Sequence, residues 1–518
     1  MLARGCRPTE VVVDVEGAGG TQDLQRLGLR LLRPFAEVPR TAPLPTSKLT
    51  VDASLLTATT APQLIAQALP ELRALTVSSE EGPVGGEVAG ALGSLLGAGQ
   101  AGAAGAQPLQ VPLLPRLDTV ELVEPQTDYP ALPPILAAVL GKATQLRHLR
   151  LDLALETAAV AADIAGLTGL ESLSVGLEGL EVAFRPLLRP LTALTSLCLE
   201  VGELTPGDAL EGLSRLVELD LPGPAALDVS ALSYLPHLTK LHCGALVAPV
   251  AGGPAAAAAP VAAECWQLPQ GLRELKLSRQ EPQELPRPLR GPPHGSIIGE
   301  VSFCLHTDAH MLPSGELLPE AEAALCAAAG ALGSLMAPGA CTVLVETENC
   351  LGTLLRPVGG AAAAGPGRRN HTPWLEALGA MRPSGLVIAG VALSHQDLVA
   401  ISRMASLKAL NLQPQSAFPA SALCTLLALP ALKELSIDCS GWVVRTGLAA
   451  AVCEPPEARG VLLSLCYNQA GPRPQIKLYR VRTLRGGLMA GLAALVAALQ
   501  AELKALGVED AEQSVVLI

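Results

Sequence analysis

The sequence predicts an α/β solenoid in which short parallel strands stack along one side and helices return along the other. Three observations predict it. A pattern of the form LxxLxxLxL recurs along the chain. Its copies keep a step of 22 to 26 residues. The segments between them carry apolar residues at helical intervals. The two leucines of LxL lie two apart, so on a strand both point to one face. One such unit cannot bury its own apolar face, and neighbours must stack to do so.

The elements follow in order. Residues 1–45 hold no copy of the pattern and are expected to form an N-terminal cap segment. The repeat region is expected over 46–440. Early copies stand at Leu72–Val77, Leu117–Leu122 and Leu146–Leu151. Four clear copies begin at Leu167, Leu191, Leu213 and Leu235, and a looser one runs from Leu272 to Leu277. Two more occupy Leu407–Leu412 and Leu432–Ile437. Marked at the first residue of LxL, positions 149, 173, 197, 219 and 241 step by 24, 24, 22 and 22. Returning helices are expected over Ala58–Leu69, Thr157–Leu167 and Gln396–Met404. Ala/Gly-rich insertions near 97–107, 251–263 and 359–367 coincide with oversized steps and read as loops. Residues 441–518 are expected to form a C-terminal capping region. Its helix, 487–506, aligns Leu488, Leu492, Leu495, Val496, Leu499, Leu503 and Leu506 on one face. Strands are expected on either side, at Ile476–Val481 and Val515–Ile518.

These residues resemble the leucine-rich-repeat family over about 45–440. Leu194 to Leu204 is the nearest match to that family's LxxLxLxxNxL. The departure lies at the family's Asn position, which here holds Glu178, Gly202, Gln280, Gln415 and Ser440. The Asn ladder that ties adjacent turns is therefore expected to be missing. The resemblance implies strands on a concave face, helices on a convex face and a role in binding proteins.

Composition narrows the function. The 518 residues carry a formal net charge of −12, and aromatics are only 2% of the chain. Nucleic-acid binders need a basic surface and usually stacking aromatics, so no nucleic-acid partner is expected. The 12 cysteines are scattered with no CxxC pair, which suits reduced thiols and a cytoplasmic protein. The N-terminus lacks the apolar run of a signal peptide. Uncharged stretches at 88–115, 323–345 and 486–501 are interrupted or too short, so no membrane span is expected. In the second of them, Gly330, Gly333, Pro338 and Gly339 should divide a helix from a strand. Arg outnumbers Lys 28 to 8 in an Ala- and Gly-rich chain, a composition like that of green-algal repeat proteins. That likeness offers the cytoskeleton or ciliary axoneme as the alternative location.

Motifs for catalysis are missing, and no enzyme activity or cofactor is expected. Gly97 to Gly102 matches GxGxxG formally but lies in a low-complexity tract. Gly141-Lys142 lacks the upstream Gly of a phosphate loop. No GxSxG, HRD or DFG is present. Cys304, His306, Asp308 and His310 would share one face if extended, and such side chains can bind zinc. Consecutive ligands on a flat strand fan out, however, so no metal site is expected.

The candidate site is the set of polar positions that alternate with the leucines. His148, Arg150, Asp152, Ser196, Glu200, Glu218, Asp220, Lys240 and His242 are expected to line the concave strand face. Glu434, Ser436 and Asp438 are expected to be exposed in the same way near the C-terminus. The nine are polar, mixed in charge and free of aromatics, which suits a protein partner better than a small apolar ligand. Acids outnumber bases among the charged members, so the partner is expected to carry a basic patch. The function expected is a non-catalytic protein-interaction scaffold. The alternative is a substrate receptor of a ubiquitin ligase, although no F-box is visible in residues 1–45.

Overall fold

The computed structural model describes residues 8–517 except 14–20, 37–45, 80–85, 99–110, 125–129, 178–183, 202–206, 249–265, 293–296, 311–316, 349–370, 414–422, 439–474, 480–485 and a few isolated positions. The described part forms two compact units. The first is Met1–Cys243 with Pro249–Ala259, and the second is Gly244–Ala248 with Pro260–Ile518. Nearly all of the Ala/Gly-rich insertions lie outside the described residues.

The first unit is a ladder of nine parallel strands. They are Glu10–Val13, Lys48–Asp52, Ala74–Ser78, Thr119–Val123, His148–Ala154, Ser172–Leu177, Ser196–Val201, Glu218–Asp220 and Lys240–Cys243. Each pairs with the next in sequence. The ladder thus begins at Glu10, within the segment expected to be a cap. The LxL leucines line up in register, Leu149 with Leu173, Leu197, Leu219 and Leu241. All five are buried, as are the lead-in leucines Leu167, Leu170, Leu191, Leu194, Leu213 and Leu216. Each buried leucine contributes about 1.5–3 kcal/mol. That column of leucines forms the core in a chain almost without aromatics.

Repeat length decides how the chain returns. Steps of 24 residues hold the α-helices Ala158–Ala165 and Phe184–Leu188. Steps of 22 hold the 3₁₀ segments Gly207–Leu210 and Val229–Tyr234 instead. A 3₁₀ turn rises more per residue than an α-turn, so it spans the same return with fewer residues. Thr157 caps the first of these helices, its hydroxyl accepting from the Val160 N–H at 3.3 Å.

Successive repeats are tied through the backbone just before each strand. The Glu171 carbonyl accepts the N–H groups of both Thr195 and Ser196, at 2.8 and 3.1 Å. The Thr195 carbonyl accepts those of Val217 and Glu218, and the Val217 carbonyl those of Thr239 and Lys240. The Lys408 carbonyl in the second unit takes Lys433 and Glu434 in the same way.

The main ladder of the second unit has eight parallel strands among the described residues: Glu274–Gln280, Ile297–His306, Met336–Glu348, Gly385–Ala389, Ala409–Leu412, Glu434–Asp438, Gln475–Tyr479 and Val515–Leu517. They too pair in sequence order. The helix Pro319–Gly333 precedes the strand Met336–Glu348, divided where Gly333 falls. His395–Ser402 is started by a capping box of Ser394 and Asp397. The C-terminal helix runs Gly486–Ala505. Val496, Leu499 and Leu503 are buried along it, but Leu506, just past its last turn, is 49% exposed.

One tie between turns is made by a residue other than asparagine. Gln280, at the family's Asn position, is fully buried. Its Oε1 accepts the Leu246 N–H at 2.9 Å and its Nε2 donates to the Leu246 carbonyl at 3.2 Å. A glutamine thus makes one tie at this position without an Asn ladder, because its amide offers the same donor and acceptor as asparagine's. Gln280→Ala is expected to lower stability by about 2–4 kcal/mol, since it strands both backbone groups of Leu246 away from water. Urea denaturation measures it, and a loss below about 1 kcal/mol contradicts the tie.

Candidate functional site

The parallel register arranges the polar positions of the first unit in rows. One row runs His148, Ser172, Ser196, Glu218 and Lys240, and a second runs Arg150, Ser174, Cys198, Asp220 and His242. All nine candidate residues lie on this side of the strands, opposite the buried leucines. His148, Arg150 and Lys240 are exposed, and the other six are partly so. Asp152 and Glu200 sit one step further along their strands.

The charges on this face are organised in pairs. Lys240 Nζ lies 2.5 Å from Glu218 Oε1, and His242 Nδ1 lies 2.7 Å from Asp220 Oδ1. Arg150 Nε donates to Asp152 Oδ1 at 3.1 Å, which holds the guanidinium pKa above its ordinary value. Thr76 donates to Glu121 at 2.8 Å, one strand before Arg150. The acidic excess expected from residue counts persists on the face, because Lys240 and Arg150 already stand in that count. Half-buried Cys198 stands among these groups, its thiol pushed up by burial against the opposing hydrogen bond with Ser174.

The face of the second unit is less polar. Leu344 and Val387 pair in register in the row that also holds Ser302, Asn411, Ser436 and Lys477. Ser436, expected to be exposed, is buried. Lys477 leans across to Glu434 at 2.8 Å, and Ser436 donates to the same carboxylate at 3.3 Å. The three side chains form one cluster, which takes the serine out of solvent.

The cysteine–histidine segment does not stay extended. The strand ends at His306, and Thr307–His310 is a helical turn. The common face expected for Cys304, His306, Asp308 and His310 is therefore broken after His306. His310 folds back, its Nδ1 accepting the His306 backbone N–H at 2.9 Å. Burial pulls the His310 pKa down. The His306 Nε2 lies 2.7 Å from Glu281 Oε1, a partner that no spacing in the sequence announces. Buried Cys304 has its thiol pushed up by burial. The Asp308 side chain lies outside the described residues. No group of three or more such donors could hold a metal ion among the described residues.

No helix among the described residues is long and apolar enough to cross a membrane. No protein-family model and no curated protein matches the chain. Among solved structures, an internalin of Listeria monocytogenes is similar at 13% identity and a TM-score of 0.30, over 76% of this chain and 80% of that one. A leucine-rich-repeat protein of Leptospira interrogans is similar at 14% identity and 0.31, over 79% and 92%. The protein TLR13 in its complex with a single-stranded RNA is similar at 13% and 0.31, over 81% and 58%. The fold assignment rests on the ladder itself rather than on these superpositions. With one strand per repeat, parallel pairing in sequence order and a return segment between strands, the chain has the α/β fold of a leucine-rich-repeat solenoid.

Proposed function

We propose that the chain is a non-catalytic scaffold that binds a protein partner on the strand face of its first unit. One observation carries the reading: five consecutive strands, from His148 to Lys240, present polar side chains in unbroken one-to-one register. The buried leucines hold that array rigid, which lowers the ordering cost of association. Strands lie about 4.8 Å apart, so these five span about 19 Å. That is narrower than a standard interface of about 800 Å² per partner requires, so the footprint extends onto Glu121 and Thr76. With Glu218 beside Lys240 and Asp152 beside Arg150, the carboxylates of Asp220, Glu200 and Glu121 supply the acidic excess. A partner with a basic patch fits that excess, and its binding weakens with salt. The cytoplasm is the compartment proposed, on the scattered cysteines.

The test is the double variant Glu218→Lys, Asp220→Lys against partners recovered by proximity labelling. Binding is expected to weaken about tenfold or more at low salt. Stability should change by less than about 1 kcal/mol, because solvent-facing ion pairs contribute little. Partner binding should also shield Cys198 from a maleimide, read by mass spectrometry. Unchanged affinity at low salt, with Cys198 unshielded, places the site elsewhere. A basic partner should outcompete nucleic acid, which a chain of net charge −12 repels.

A further inference from the structure

The helix Thr21–Ala36 reads TQDLQRLGLRLLRPFA, with three arginines against one acid in a chain that is otherwise acidic. One side of it packs on the next repeat. Gln25 donates to Thr57 Oγ1 at 2.6 Å. A Cβ on Gly28 would stand 2.7 Å from the Leu55 side chain, so the helix sits there in close contact, and Leu32 is fully buried. The opposite side carries two parallel stripes. At about 100° per residue, Arg26, Arg30 and Arg33 fall within about 60° of one another, and Leu27 and Leu31 lie beside them. The arginines are exposed, and the leucines are 43% and 46% exposed. Leucines this open to water are few among the described residues, Leu113 and Leu506 being the others, whereas the LxL leucines of the repeats are buried.

We infer that this face of the helix Thr21–Ala36 is a docking surface for an acidic amphipathic helix of another protein. The strand that precedes the helix, Glu10–Val13, pairs on one side with Lys48–Asp52. Val12 on that strand is 59% exposed. Within the solenoid, each helix is covered by the helix of a neighbouring repeat, as Ala61–Ala68 covers the inner side of this one. A partner helix laid along the outer side repeats that packing. Its own i, i+4 leucines meet Leu27 and Leu31, and its carboxylates meet Arg30 and Arg33, where bidentate pairing is favoured. Charge decides against a second copy of the same face, since two arginine stripes would oppose each other. It also decides against an anionic membrane, because the rest of this acidic chain would be repelled from that surface. The surface is separate from the strand face, and its test does not depend on that reading.

The experiment titrates the full chain into a dye-labelled peptide with Leu at i and i+4 and Glu at the flanking positions, followed by anisotropy. A scrambled peptide of the same composition and phosphatidylserine vesicles are run beside it. The wild type is expected to bind the ordered peptide and to lose affinity as salt rises. Arg30→Glu with Arg33→Glu, and separately Leu27→Ser with Leu31→Ser, should each weaken binding about tenfold or more. All four positions are exposed, so both variants should keep the wild-type melt. Glu218→Lys with Asp220→Lys should bind the peptide normally. Failure of the wild type to bind the ordered peptide overturns the inference. So does equal binding of the scrambled peptide, wild-type affinity in either helix variant, or arginine-dependent binding to vesicles without peptide binding.

Discussion

Leu197→Asp is expected to unfold the central repeats of the first unit. Leu197 is fully buried, in register with Leu173 on one side and Leu219 on the other. The substitution removes about 2–3 kcal/mol of apolar burial. It also puts a carboxylate among leucines, with no buried cation beside it, which costs several kcal/mol more whether it ionises or takes up a proton. The sum is comparable to the whole stability of a domain, about 5–15 kcal/mol. Circular dichroism during heating and urea denaturation should show the loss of the cooperative transition. Leu197→Met, which conserves volume, should cost less than about 1.5 kcal/mol. A normal melt for the aspartate variant would rule out the inward register of the LxL leucines.

Gly299→Ala is expected to be the most damaging single-methyl substitution in the second unit. Gly299 has φ +154°, and a Cβ built there falls 1.8 Å from the Leu275 carbonyl oxygen. The position lies where the pairing of Ile297–His306 with Met336–Glu348 shifts register. Neither Ile297–His306 nor Glu274–Gln280 can give way, because Val301, Phe303 and Leu305 on the first and Leu275 and Leu277 on the second are buried. Backbone strain of about 1–3 kcal/mol adds to an overpacking cost of similar size, so a loss of about 3–5 kcal/mol is expected. The helical Gly330 is the control, since nothing lies within 4 Å of its added Cβ. Gly330→Ala should raise stability by up to about 1 kcal/mol through helix propensity. Equal melting temperatures for the two variants would show that the close approach at Leu275 does not exist.

Much of this was legible in the residues because leucine spacing encodes both the strand and the repeat. Leu173 and Leu197, 24 apart, are paired partners, and so are Leu219 and Leu241, 22 apart. The same step pairs charges: Glu218 meets Lys240 and Asp220 meets His242 because each is 22 residues from its partner. Counting acids and bases without applying the period hides that pairing. Other features had no local signal. The strand Glu10–Val13 has valines in place of LxL, and only its pairing with Lys48–Asp52 marks it as a repeat. Gln280 was legible as standing at the family's Asn position, but its tie to Leu246, 34 residues away, is set only by the fold. His306 finds Glu281 only because the chain turns after Gln280.

The doubly accepting carbonyls that precede strands such as Ser196–Val201, Glu218–Asp220 and Lys240–Cys243 have a mechanical consequence. The groups that join Thr195 and Ser196 to Glu171 belong to the main chain, so every amino acid except proline can supply them. Neighbouring repeats are therefore clamped independently of their surface side chains, and the outward positions are free to drift while the leucines stay. Under tension the clamps would open in series, one repeat at a time, as a zipper does. A single-molecule pulling trace should then be a staircase whose steps lengthen the chain by one repeat each, with the surface residues setting what the molecule grips and the backbone setting how it yields.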